Sequence, residues 1–158
     1  PGWEPEREPV PGLVAQRPGS PELDAWVQRV PALVDVVRSR AGVERARSLD
    51  LSPQSLEVLA QVALEDADAG HLAEGAQGEV RAAYVAYLGT VLIGAAGGSW
   101  VFLPGPDDHD NPFVGRPFVE RTDSDGDRRP ALLDGAFDAL LTTRSTDTFE
   151  RAFRAYTL

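Results

Sequence analysis

The sequence predicts an α+β domain, with several amphipathic helices packed on a small antiparallel sheet of two or three strands. Three observations predict it. Apolar residues recur at helical spacing within residues 23–37, 56–63, 80–92, 132–141 and 149–156. Aromatic and β-branched content of the strand type is confined to residues 100–103 and 113–122. The resulting order of helices, one hairpin and helices again is unlike the alternating βαβ pattern of a parallel sheet. With 158 residues, 42% of them hydrophobic, the chain holds one domain's worth of core.

Residues 1–19 contain five prolines and three glycines among mainly charged and small side chains, and read as an extended tail ahead of a single domain over residues 20–158. Ser20-Pro21-Glu22 opens a first helix with a cap, a proline at the first position and an acidic first turn. Its stripe of Leu23, Trp26, Val27, Val30, Val34 and Val37 runs through Pro31, which predicts either a kink or two abutting helices ending near Gly42. Ser52-Pro53 opens a second helix in the same way, with Leu56, Leu59, Val62 and Ala63 inward, and it is expected to dissolve over residues 65–70. A third helix from about Glu79 is apolar around most of its circumference, which makes it the central and most buried one.

The cluster Gly94-Ala95-Ala96-Gly97-Gly98-Ser99 ends that helix and leads into a strand over residues 100–103, with Trp100 and Phe102 on one side. Residues 113–122 predict a second strand, with Gly115 and Pro117 marking a bulge or an edge. Residues 43–49 are the candidate for a third strand. Leu132, Leu133, Ala136, Phe137, Leu140 and Leu141 define a further helix, and Asp147 with Glu150 three residues on predicts a capped last helix carrying Phe149, Phe153 and Tyr156.

Charge and composition exclude several functions. The balance of 25 acidic against 15 basic residues gives a net charge of -10, which repels a phosphate backbone and an anionic membrane surface. The basic residues are all arginine, with a single isoleucine (Ile93) and a single asparagine (Asn111), the signature of a GC-rich, actinobacterial-type genome. Without cysteine there is no disulfide, thiolate metal site or cysteine nucleophile, which fits a cytoplasmic location. Residues 82–106 carry no charge across 25 positions, long enough to raise a membrane span. Five glycines, two prolines and the switch from helical to strand content within that run favour a helix-turn-strand unit instead. The glycine cluster follows a helix and precedes a strand, the reverse of a phosphate-binding loop.

Two acidic turns are the candidate functional elements. Asp107, Asp108, His109 and Asp110 offer hard oxygen donors and one imidazole, the weak candidate for a metal site. Asp123, Asp125 and Asp127 resemble the start of a calcium loop with Asp134 at the twelfth position, but the required sixth-position glycine is Arg128. The two histidines, His71 and His109, fall in loops, and no nucleophile elbow or HExxH pattern accompanies them. No carboxylate interrupts an apolar stripe, and no arginine cluster forms a carboxylate clamp. No catalytic residue and no cofactor are assigned.

The segments Leu49-Asp50-Leu51-Ser52-Pro53-Gln54-Ser55-Leu56, Tyr87-Leu88-Gly89-Thr90-Val91-Leu92 and Gly97-Gly98-Ser99-Trp100 resemble a loose group of uncharacterised small bacterial domains of actinobacterial type, with the order LDxSxxSL, YLGxVL, GGxW. The resemblance covers about residues 49–121. In that group an acidic residue often follows the glycine, where this chain has Thr90. Such domains carry no assigned enzymatic activity and some occur near toxin-immunity or secretion-linked genes, so the resemblance implies an interaction module. Gly89 within the buried helix predicts a close crossing by another element.

Together these readings predict a non-catalytic protein-interaction module, immunity-like or accessory to a secretion or toxin system. It would present Asp107, Asp108, Asp110, Asp123, Asp125 and Asp127 to a basic protein partner. A small metal-dependent hydrolase built on the Asp/His loop and a structural component of a larger assembly are the alternatives.

Overall fold

The computed structural model describes residues 20–72, 78–106 and 110–158. The proline-rich segment 1–19 and the loop residues Asp107, Asp108 and His109 lie outside the described residues. The described chain forms helices α1 (Pro21–Ala41), α2 (Val43–Ala46), α3 (Leu56–Asp68), α4 (Glu79–Ala96), α5 (Leu133–Thr143) and α6 (Thr148–Thr157). Strands β1 (Ser99–Val101), β2 (Phe118–Thr122) and β3 (Arg128–Ala131) form one sheet in the order β1-β2-β3, antiparallel throughout. The α+β architecture expected from the sequence is the observed one.

Helix α4 is the centre of it. It buries Ala83, Tyr84, Val85, Ala86, Tyr87, Leu88, Gly89, Val91 and Leu92, while α1, α3, α5, α6 and β2 pack around it. By length and composition α4 is apolar enough to cross a bilayer, yet 56% of that stretch is enclosed within the domain and it stops at Ala96. The uncharged run is therefore a core helix followed by a turn and a strand. Helix α1 is continuous through Pro31 and buries Leu23, Trp26, Val30, Leu33, Val34 and Val37 against the core.

The strands alternate as a two-sided sheet requires. Trp100 and Val119 join the main core, while Val101, Leu103, Phe113, Val114 and Phe118 form a second cluster on the other side. Three expectations about the strands change. The second strand is shorter than residues 113–122, because Pro117 has no N–H to donate and Gly115 adopts φ +81°. Residues 113–117 instead form an irregular segment attached by a single Leu103–Val114 bridge. The third strand is Arg128–Ala131, which pairs with β2 through Val119↔Ala131 and Thr122↔Arg128, and residues 43–49 contain the short helix α2.

Residues 49–56, 87–92 and 97–100 meet through contacts in the core. Tyr87 Oη accepts the Leu51 N–H (3.0 Å) and donates to Ser55 Oγ (2.6 Å), which in turn donates to the Ser52 carbonyl (2.6 Å). That chain of bonds holds Leu51 at φ 66°, a left-handed conformation that a non-glycine residue adopts only with support. Trp100 lies on Gly89, where an added Cβ would sit 2.6 Å from Trp100 Cζ2, so β1 crosses α4 closely at the glycine as the sequence predicts. Gly89→Ala is therefore expected to destabilise the protein by about 1–3 kcal/mol through overpacking, despite alanine's better helix propensity. Gly94 on the same helix has nothing near its Cβ position, so Gly94→Ala is expected to be neutral or to gain up to about 1 kcal/mol. Urea unfolding of both variants checks the contrast, and equal midpoints would show that Trp100 does not rest on Gly89.

Candidate functional site

The acidic turn between β2 and β3 is built around Asp123. Its Oδ1 accepts the backbone N–H groups of Asp125 and Asp127, both at 2.9 Å, and its Oδ2 accepts Arg129 Nε at 2.8 Å. The Arg129 bond, then those backbone bonds, hold the Asp123 carboxyl below the usual carboxylate range. Asp123 is thus spent on the turn, which leaves the side chains of Asp125 and Asp127 exposed and without an ion pair among the described residues. Asp110 is exposed as well.

These residues are not brought together. β2 pairs with β1 at Val101↔Phe118 and with β3 at Thr122↔Arg128, so the connection bearing Asp110 leaves one end of β2 and the Asp123 turn leaves the other. No group of three or more His, Cys, Asp or Glu side chains gathers around a metal position among the described residues. Asp134, the twelfth residue of the calcium-type pattern, sits instead at the start of α5, buried away from the turn.

Two charged clusters that the sequence conceals lie within the fold. In the first, Asp134 accepts Arg81 Nε at 2.8 Å and lies 3.0 Å from Arg116 Nε, while Arg81 Nη2 also reaches Asp138 at 2.5 Å. Arg81 is 8% exposed and stacks over Phe137 with its guanidinium carbon 4.7 Å from the ring centre. Burial pulls the Arg81 pKa down, but the bonds from Asp134 and Asp138 outweigh it and the net shift is upward. In the second cluster Asp66, 8% exposed, takes a two-pronged bond from Arg40 at 2.8 and 2.9 Å, a hydrogen bond from the Tyr84 hydroxyl and a contact with His71 Nδ1 at 3.1 Å. Burial raises the Asp66 pKa, and the bonds with Arg40, Tyr84 and His71 together lower it further than burial raises it.

Helix α3 ends at Asp68, within the 65–70 range expected for its end, and arginines from elsewhere engage its acidic last turn: Arg45 pairs with Glu65, Arg40 with Asp66 and Arg144 with Asp68. The second cluster corrects two expectations: carboxylates do interrupt apolar faces, and arginines do clamp them. An Asp–His pair is an element of nucleophilic catalysis, but His71 Nδ1 is committed to the Asp66–Arg40 pair by either tautomer, and Arg40 Nη2 lies 2.6 Å from it. Through Asp66 the cluster joins α1, which carries Arg40, to α3 and to α4, which carries Tyr84.

A cleft of about 210 Å³ opens beside the first cluster, walled by Trp26 and Arg29 of α1, Ala82 and Val85 of α4, Gly115, Arg116 and Pro117 before β2, and Asp134. No family model, curated protein or solved structure matches this chain.

Proposed function

We propose that this chain is a non-catalytic protein-interaction module that presents carboxylates to a basic partner. The observation that carries the reading is the β2–β3 turn. Asp123 is consumed in fixing the turn, so Asp125 and Asp127 are held outward on an ordered backbone and need little further ordering to engage a cation. A net charge of -10 supports the same reading, since long-range attraction of a basic surface raises the encounter rate more than the final affinity. A partner with a cationic active site, such as a nuclease toxin, has the matching chemistry, and the cysteine-free composition suits a cytoplasmic setting.

The test begins with capture of a stoichiometric partner by the full chain at low salt. Association is then expected to slow steeply as ionic strength rises from roughly 0.05 to 0.5 M. The double variant Asp125→Asn/Asp127→Asn is expected to lower the association rate about three- to tenfold with little change in dissociation. Failure to retain any partner, or an association rate indifferent to salt and to the double variant, overturns the reading.

A further inference from the structure

The cleft between α1, α4 and the segment before β2 differs in charge from the rest of the molecule. The chain has ten more acidic than basic residues, yet the cleft is lined by two arginines and one aspartate. The aspartate, Asp134, is already balanced by Arg81 and Arg116. Arg29 is exposed, lies over the Trp26 ring at 5.8 Å and makes no ion pair with a described residue. A cation with no counter-ion among the described residues, at the mouth of a semi-enclosed, partly apolar space, is the arrangement that receives an anion.

The rest of the lining selects what accompanies that anion. Ala82, Val85 and Pro117 are apolar, and Trp26 is fixed edge-on against Trp100 with the ring centres 5.3 Å apart, so the wall is rigid and aromatic. A volume of about 210 Å³ compares with the roughly 150 Å³ of an engineered cavity that holds benzene, leaving room for one ring and a small substituent. The Trp26 indole N–H is buried and has no acceptor among the described residues, an uncommon state for a tryptophan.

We propose that this cleft is a binding site for a small carboxylate carrying a single ring, with Arg29 pairing to the carboxylate and the ring lying among Trp26, Val85 and Pro117. The site is separate from the β2–β3 turn. Arg116 and Pro117 precede β2 and the turn follows it, so the two occupy opposite ends of the strand.

Benzoate is the probe, read by the indole N–H resonances of the full chain, with that of Trp26 assigned through Trp26→Phe. Saturable movement of the Trp26 resonance at roughly millimolar benzoate is expected, with acetate, which lacks the ring, and benzamide, which lacks the charge, each about tenfold weaker. Arg29→Gln is expected to weaken benzoate about five- to tenfold. Arg47→Gln removes the same charge from an exposed residue outside the cleft and is expected to leave binding unchanged. Absence of a saturable shift, equal binding of acetate and benzoate, or equal effects of the two arginine variants overturns the proposal. None of these outcomes bears on Asp125 and Asp127.

Discussion

Asp134→Ala is expected to destabilise the fold by about 3 kcal/mol, the lower end of the range for breaking a buried ion pair by removing one partner. The cost falls mainly on Arg81, whose side chain is 10% exposed and would lose its bond to the buried carboxylate while remaining fixed between α4 and Phe137. Two features keep the loss from being larger. Arg81 retains Asp138, whose side chain is 62% exposed, and Arg116, with 27% of its side chain exposed, can turn toward water. The attribution to a stranded cation is checked by a second variant: replacing the pair together, Arg81→Met with Asp134→Leu, is expected to recover most of the stability, because well-packed apolar groups often match a buried pair. Urea denaturation of the two variants measures this. A double variant no more stable than Asp134→Ala would mean that the aspartate acts through the start of α5 and not through Arg81.

The sequence discloses those parts of this fold in which a local pattern and the tertiary outcome coincide. Helix α4 is recognisable because its apolar surface has no polar side, and the Gly89–Trp100 crossing is recognisable because a glycine inside such a helix is costly unless something occupies the space of its side chain. Likewise, the Asp123 turn has the aspartate and glycine content that bonds its own backbone. What stays hidden depends on partners distant along the chain. Arg40 meets Asp66 across 26 positions and Arg81 meets Asp134 across 53, so each charge appears as a solvated residue until both helices are in place.

Strand β3 fails to announce itself for a related reason. Arg128-Arg129-Pro130-Ala131 has neither β-branched nor aromatic content, and it becomes a strand because β2 offers it an edge while Glu120 and Asp123 receive its two arginines. The cleft is assembled from four separate segments and has no signature in any one of them. The capping expectation at Asp147 fails locally: its carboxylate is taken by Ser145 Oγ and by Arg151, and makes no bond to the first turn of α6. That helix is held instead at its far end, where Tyr156 Oη donates to the Gly97 carbonyl and Arg121 caps the carbonyls of Tyr156 and Leu158.

Asp66→Ala is expected to cost about 3–5 kcal/mol at neutral pH. It removes the carboxylate that receives both prongs of Arg40 and leaves the Tyr84 hydroxyl, on a residue 1% exposed, without its acceptor. Asp66→Asn separates charge from shape: the amide oxygen still accepts from Tyr84, but the charge opposing Arg40 is gone, so a loss of roughly 1–3 kcal/mol is expected. The pH dependence then follows from the direction of the Asp66 shift. Its carboxyl is held below the ordinary value in the folded protein, so the unfolded chain takes up the proton first as pH falls. The stability that the charged form contributes is complete above roughly pH 5 and declines below about pH 4, vanishing as the pH passes through the lowered folded value. The stability gap between wild type and Asp66→Asn is accordingly expected to be flat from neutral pH to about 5 and to narrow below about 4, as measured by urea titrations at a series of pH values. Carboxylates with lowered pKa that do not interact with Asp66, Asp123 and Asp147 among them, titrate in both proteins and cancel in the difference. A gap that persists undiminished until the wild type itself unfolds in acid would show that Asp66 stabilises through packing and neutral hydrogen bonds, with no net contribution from its charge.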